Sequence, residues 1–370
     1  MIDQLKRQID QSLRDFFRRI KKEYKLHLVH PILFESIHDF SLRKGKRIRP
    51  LLLILSYKGY GSPNSPIPQS LFNASTCMEL LHNFMLIHDD IIDRSDLRRG
   101  KPTLHNILKK AVRTQDQEKL GADLSIIAGD IVYALAIDAF LSIDEEPYRK
   151  EEALKYFIKT AAFTAMGEFI DILHGVQNVR QITEKDVFLN YTLKTARYTF
   201  ECPLVVGAIL AGADKKDINK LSRMGVMIGQ AFQIQDDIIG IFGSQKAIGK
   251  SILSDLAEFK KTLLVCHAYH QLKKQQRKKF LKYFSRTPKS YADLLAIRKI
   301  FIRAGSLAYS IRKIKKLIDN SKKIMEELHI HDSYRHVIWQ SFISLFKSTN
   351  QAAQDYDIPI QIDHSFPPAN

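Results

Sequence analysis

Five aspartates fall in two short groups, DDIID at residues 89–93 and DDIIG at residues 236–240. Each group ends an apolar stretch with helical spacing, LLHNFMLIHDDIID and GQAFQIQDDIIG. Residues four apart share a helix face, so Asp89 and Asp93 point the same way. Like charges buried together are costly unless a cation lies between them. Two such groups facing each other across a cavity make a site for hard divalent cations, and for the phosphates those cations carry.

Cationic residues follow or precede both groups. In DDIIDRSDLRRGKPTLH (89–105) the carboxylates are followed by Arg98 and Arg99, whose guanidinium groups can grip phosphate oxygens in pairs. A surface network of ion pairs would use the same residues, but would not need the apolar FMLIH run before it. RKGKRIRP (43–50) sets five cations around Gly45, either a phosphate cradle at a helix start or an ordinary solvated loop. LKTARYTF (193–200) places Lys194 and Thr195 within a helical pattern, a pair that alone says little. After the second aspartate group come Lys250, Lys260 and Lys261, again the alternation that suits metal plus diphosphate. His82 and the His88–Asp89 pair loosely resemble the ligands of HD-type phosphohydrolases. That reading leaves Asp90, Asp93 and the arginines unexplained.

The elements that must hold these groups read as helices. The pattern predicts helices near 47–58, 69–95, 117–142, 148–176, 184–213, 216–242, 256–273, 290–304 and 307–347. The GSPNSPIPQS turn separates the first two, and no proline interrupts the chain between Pro203 and Pro288. Residues 351–370 change composition and are expected to be an irregular tail. Without a Gly- or Ser-rich linker, residues 1–350 read as a single domain. HDDIID and QDDIIG echo each other, as two similar facing helices would.

Composition bounds the partners. The 370 residues carry 57 Lys plus Arg against 40 Asp plus Glu, a net charge of +17, which suits anionic ligands or surfaces. The basic runs KKQQRKK (273–279) and RKIKK (312–316) read as solvated helix faces. No nucleic-acid-binding module is recognisable. Cys77, Cys202 and Cys266 lie far apart among apolar neighbours, as buried thiols in a reducing compartment would. The N-terminus is charged and helical rather than signal-like. The most apolar stretch, 126–140, contains Asp130 and Asp138 and reads as a buried helix, so the sequence predicts a cytoplasmic chain with no bilayer-spanning segment.

Taken together, the motifs resemble those of the trans-isoprenyl diphosphate synthases, the polyprenyl synthetase family, over roughly residues 40–265. DDIIDRSDLRRGKPTLH is similar to the first aspartate-rich motif and its arginine pair, and RKGKRIRP to GGKRxRP. GEFIDI (167–172) is similar to GQxxDL, KTA (194–196) to KTA, and FQIQDDIIGIFG to the second aspartate-rich motif. The resemblance implies an all-α, single-domain helical bundle around a deep central cavity, usually a homodimer. It also implies condensation of isopentenyl diphosphate with an allylic diphosphate (dimethylallyl, geranyl or farnesyl) by Mg²⁺-assisted ionisation.

Carried over by position, Asp89 and Asp93 would ligate two Mg²⁺ ions and Asp236 a third, with Asp90 and Asp237 supporting them. Arg98, Lys194, Thr195, Gln233, Lys250 and Lys260 would surround the allylic diphosphate. Lys46, Arg49, His82 and Arg99 would hold isopentenyl diphosphate. Helix rise puts Phe84 about 7 Å and Leu81 about 12 Å below Asp89. In the family an aromatic at the Phe84 position limits chain length, so Phe84, Met85 and Leu81 are the expected floor. Geranylgeranyl diphosphate (C20) is the expected product, with farnesyl (C15) or longer chains as alternatives.

Four positions depart from the family pattern: Lys44 for the first Gly of GGKR, Glu168 for Gln, Gly240 for the last Asp, and Phe259 for the Gly before Lys260. A cyclase or head-to-head enzyme would not need the second diphosphate clamp. A non-catalytic partner subunit would not need the metal site. A surface contact with a membrane is compatible with the charge.

Overall fold

The computed structural model describes residues 1–62, 64–111, 113–243, 260–285, 290–363 and 365. Lys250 and Phe259, both named above, lie outside them.

Helices dominate, as the patterning requires. Two long ones open the site. α5 (Gln69–Ile92) follows Pro68 and ends on Asp93, whose N–H returns to the Asp89 carbonyl. α7 (Gln117–Leu141) starts at Asp116, whose side chain accepts the Lys119 N–H, and packs along α5. Before them come α1 (Ile2–Glu23), a single turn α2 (Leu26–Val29), α3 (Pro31–Leu42) and α4 (Ile48–Tyr60). Between α5 and α7 lie the only strands among the described residues, Leu97–Arg98 and Lys101–Pro102, and the short helix α6 (Leu104–Leu108). The strands pair antiparallel, and the two residues joining them, Arg99 and Gly100, both have positive φ (55° and 73°). This is the left-handed two-residue turn whose twist matches the strands it joins. Glycine adopts it freely; Arg99 does not, and its strain is held beside the site.

The second half of the site comes from α8 (Pro147–Val176), α9 (Glu184–Asn190) and α11 (Lys215–Phe242). Pro147 at the first turn of α8 sits where its missing N–H costs nothing, and α9 carries a Thr183–Asp186 capping box. The sequence predicts one helix over 184–213. Instead Tyr191–Glu201 winds as a π-helix between α9 and α10 (Cys202–Ala211). The Cys202 N–H reaches the Arg197 carbonyl five residues back, and Pro203, with no N–H to offer, follows at once. The π-helix packs on both α8 and α11. Glycines permit this closeness: a Cβ on Gly167 would lie 2.6 Å from Lys194 Cα, and one on Gly225 2.6 Å from Glu201 Cα.

The rest of the chain braces this core through α12 (Leu263–Gln271), α13 (Lys274–Ser285), α14 (Tyr291–Arg303), α15 (Ser306–Glu326) and α16 (Asp332–Ile343), then a 3₁₀ turn (Ser344–Phe346) and α17 (Lys347–Asp355). The expected helix 307–347 thus breaks at Glu327, and the expected irregular tail is helical as far as Asp355. Beyond that helix the chain docks rather than dangles: Ile362 is 1% exposed and exchanges backbone bonds with the Asn350 amide. The three cysteines are buried free thiols, as expected. α7 is long and apolar enough, by length and composition, to pass for a membrane span, a test that the core helix of a folded protein also passes. Less than half of that window, 44%, is buried, and its buried side is the one facing the protein core.

Candidate active site

The end of α5 forms one wall. Asp90 is fully buried, Asp89 is half-buried, and both are met by Arg98 from the hairpin. Arg98 Nε lies 2.8 Å from Asp90 Oδ1, and Nη2 both reaches that oxygen and lies 3.1 Å from Asp89 Oδ2. Burial opposes the Arg98 charge, but these carboxylates outweigh it and raise its pKa. Expected at the allylic diphosphate, Arg98 is thus engaged with the aspartates that flank it.

Lys194 comes from the facing π-helix. Its Nζ lies 2.7 Å from Asp171 Oδ2, 2.8 Å from Glu168 Oε2 and 3.5 Å from Asp89 Oδ1. Burial works against this ammonium, but Asp89, Asp171 and Glu168 hold its pKa above the ordinary lysine range. Burial raises the Glu168 pKa. For Asp171 burial acts the same way but is overcome by Lys194 and Lys260, which lower it. Asn190 Nδ2 donates to the other Asp171 oxygen at 2.7 Å. Lys260 Nζ lies 3.3 Å from Asp93 Oδ2. Lys260, which follows the second aspartate group in the sequence, therefore reaches the first.

α11 supplies the opposite wall. Asp236 is exposed, while Asp237 accepts from the Tyr191 hydroxyl and, at 3.1 Å, from Gln233 Nε2. Burial pushes the Asp237 carboxyl up to about 7, against the pull of those two donors and Lys260. Thr195 Oγ1 donates to Gln233 Oε1 at 2.6 Å. Asp171, Tyr191, Lys194, Thr195, Gln233, Asp237 and Lys260 line one cleft. Of these, the sequence assigned no role to Asp171 or Tyr191. Asp171 sits in GEFIDI three residues after Glu168, a spacing that puts both on one helix face.

A second group lies beside the first and is almost purely cationic. Arg49 Nη2 donates to Thr199 Oγ1 at 2.7 Å, and its guanidinium lies 4.4 Å over the Tyr198 ring. The His82 ring centre is 6.0 Å from that of Tyr198. Burial, then Arg49 and Arg99, holds the His82 pKa well below the ordinary imidazole value. Arg99 donates to the Arg43 carbonyl at 3.2 Å and packs against Gly45. Burial lowers its pKa, and Arg47, Arg49 and Arg98 lower it further against Glu79. Among the described residues, buried Arg49 Nε and His82 Nδ1 have no hydrogen-bond partner. Orphaned polar atoms within a positive cluster call for an anionic ligand.

The structure sorts the five cations of RKGKRIRP. Arg47 is 4% exposed and structural, bonded to Glu79 and, at 2.8 Å, to Asp10. Arg43 is tied to Asp39 and lies over Phe40. Only Arg49 reaches the cluster; Lys46 is exposed and lines a different pocket, with Lys6 and Lys347. Phe84 is half-buried on α5, its ring centre 4.8 Å from that of His88 and 4.9 Å from Tyr133 on α7. Met85 is half-buried too, and Leu81 is buried in the core.

The donors at the two walls fit a divalent cation such as Mg²⁺. Asp89, Asp93 and Asp236 offer only carboxylate oxygen, which suits a hard ion. Lys194 and Lys260 set ammonium groups against Asp89 and Asp93, cations standing where a metal charge would be needed.

Residues 30–301 match the polyprenyl synthetase family. The chain is 32% identical over 299 residues to a geranylgeranyl diphosphate synthase of Saccharolobus solfataricus, covering 80% of this chain and 83% of that protein. It is 31% identical to a geranylfarnesyl diphosphate synthase of Aeropyrum pernix, covering 78% of this chain and 85% of that one. The structure superposes with a TM-score of 0.85 on a geranylgeranyl pyrophosphate synthase of Corynebacterium glutamicum, solved with isoprenyl diphosphate and magnesium. That match has 26% identity and covers 95% of this chain and 99% of the other.

Proposed function

The chain belongs to the polyprenyl synthetase family and is a prenyltransferase, and from that premise we propose that it joins isopentenyl diphosphate head-to-tail to an allylic diphosphate, with geranylgeranyl diphosphate as main product. One observation carries this reading: a cleft lined by paired carboxylates and ammonium groups, and a separate cationic cluster with orphaned buried atoms, lie side by side. An enzyme that only ionises one diphosphate needs the first; an enzyme that condenses two needs both.

Asp89, Asp93 and Asp236 would hold three Mg²⁺ ions. When bound, the ions neutralise the allylic diphosphate and stabilise the charge it gathers as a leaving group. Lys194 and Lys260, with Thr195 and Gln233 beside them, meet the same oxygens, and Lys250 belongs to this set by its place in the motif. As the allylic C–O bond breaks, both bonding electrons leave with diphosphate and the carbon skeleton becomes a cation. Arg49, Arg99 and His82 hold isopentenyl diphosphate so that its double bond attacks that cation. Loss of a proton to the released diphosphate restores the alkene. Apolar walls from α5 and α7 keep water from the cation.

Phe84 packed against Tyr133, the rings tilted by 35°, supports a floor at the C20 length. The test is to incubate the purified chain with Mg²⁺, isopentenyl diphosphate and each allylic primer, then size the dephosphorylated products. Absence of isopentenyl-dependent elongation with every primer sinks the proposal.

A homodimer completes the reading. Met166, Phe169, Leu173 and Val176 of α8 are 43–83% exposed at spacings of three and four, one apolar helix face. Leu124 and Ile127 of α7 are exposed as well. A second copy of this chain is the partner we assign to that face. The cytoplasm, where the three buried thiols stay reduced, is the compartment we assign.

A further inference from the structure

Glu201 closes the π-helix, is 1% exposed, and takes no part in the proposed chemistry. A buried carboxylate is costly unless donors meet its oxygens, and here donors come from three helices. Arg197 Nη1, on the π-helix itself, donates to both oxygens, at 3.0 and 2.9 Å. The Tyr156 hydroxyl of α8 donates to Oε1 at 2.7 Å, and the Ser222 hydroxyl of α11 to the same oxygen at 2.6 Å. Arg197 is held in turn by the Phe163 ring of α8, 4.6 Å below its guanidinium.

This clasp brackets the residues that hold Arg49. Between Arg197 and Glu201 lie Tyr198, whose ring faces the Arg49 guanidinium, and Thr199, which accepts its hydrogen bond. The backbone bond from the Cys202 N–H to the Arg197 carbonyl closes the same turn. The Arg197–Glu201 pair therefore fixes, through side chains, the turn that aims Tyr198 and Thr199. Lys194 and Thr195 lie ahead of the bracket and have partners of their own, Asp171 and Glu168 for the first and Gln233 for the second. The two diphosphate sites thus depend on this turn unequally.

We propose that Glu201 is a positioning residue for the isopentenyl clamp. By holding Arg197, Tyr156 and Ser222 it fixes the turn that presents Tyr198 and Thr199 to Arg49. What Arg49 binds rests on the function proposed above; the clasp itself does not.

Calorimetry on the full chain, loaded with Mg²⁺ and a non-ionising thio analogue of farnesyl diphosphate, measures isopentenyl diphosphate binding without turnover. A first titration measures the analogue. Glu201→Gln keeps the size of the side chain but sets an amide against Arg197. It should weaken isopentenyl diphosphate about tenfold, the worth of one charged hydrogen bond, and change analogue binding less than about twofold. Thr199→Val, which unhooks Arg49 directly, should weaken it by a similar factor and add less than about twofold to Glu201→Gln. Ser222→Ala, a smaller lesion, should give about a threefold loss confined to isopentenyl diphosphate, and it carries the test if Glu201→Gln does not fold. Equal loss of both ligands, or a lower urea midpoint with isopentenyl diphosphate binding intact, reduces Glu201 to a structural role and overturns the proposal. Effects of Glu201→Gln and Thr199→Val that multiply in the double variant overturn the route through Thr199. A wild-type chain that binds both ligands yet elongates no primer loses the proposed function and keeps the clasp; one that binds no isopentenyl diphosphate loses both.

Discussion

Glu168 is, with Lys44, one of two residues at which this chain adds charge to its family's pattern, and its position gives that addition a consequence. It is one of three carboxylates within 3.5 Å of the Lys194 ammonium. An ammonium so neutralised is less available to a diphosphate. Glu168→Gln should lower the allylic KM by about three- to tenfold, since each tenfold step is about 1.4 kcal/mol and a charged hydrogen bond is worth about that. Steady-state kinetics decides, and an unchanged or raised KM removes the argument. His82 carries a pH signature. Its folded-state pKa lies below the unfolded value because of burial and then the arginines. Between those two values only the unfolded chain takes the proton, so stability falls as the pH drops below about 6.5. His82→Gln should flatten that part of a urea-denaturation profile; a profile of unchanged slope would show that the ring is not held neutral. Phe84→Ala, which removes the ring packed against Tyr133, should shift products beyond C20 in the same sizing assay, and an unaltered distribution removes the floor.

At the scale of elements, what the sequence showed and what it hid differ in kind. The two aspartate groups stood out because their types and spacing are themselves the chemistry, whereas Lys194 stood out only through the resemblance of its motif. The helices holding them were legible from apolar period alone. The π-helix was not: LKTARYTF reads as ordinary α-helix, because the wider winding depends on Pro203 behind it and on neighbours that Gly167, Gly225 and Gly229 admit. Nor was the structural use of Arg43 and Arg47, since a cation in a motif looks the same whether it will face a phosphate or a buried Glu79. Gly167→Ala tests the close approach directly. The added Cβ must displace the Lys194 backbone, an overpacking worth about 1–3 kcal/mol. Both the urea midpoint and kcat should fall together; a stable variant with normal kcat would mean that α8 simply shifts away.

For the whole molecule, the apolar face across α7 and α8 explains why α7 has the composition of a membrane span while forming part of a folded core. Its outward half carries exposed Leu124, Ile126 and Ile127, part of the face for which a second copy is proposed above. Phe169→Glu should convert a dimer into monomers by light scattering at micromolar concentration, while a wild-type chain that already runs as a monomer refutes the assignment. The described residues beyond 270, silent in the sequence, turn out to brace α11. Their role was hidden because it is made by long-range contacts, such as Gln235 with Leu345 and Thr349, that leave no local pattern. The wide winding of Tyr191–Glu201 has one last implication. A coil with five-residue backbone reach packs more side chains into each revolution. It therefore lets a single short segment address the acidic wall through Lys194, the amide of Gln233 through Thr195, and the guanidinium of Arg49 through Tyr198 and Thr199. Deleting one residue upstream of Lys194 would rephase all of these at once, so grafts and chimeras between relatives should keep this stretch at its native length.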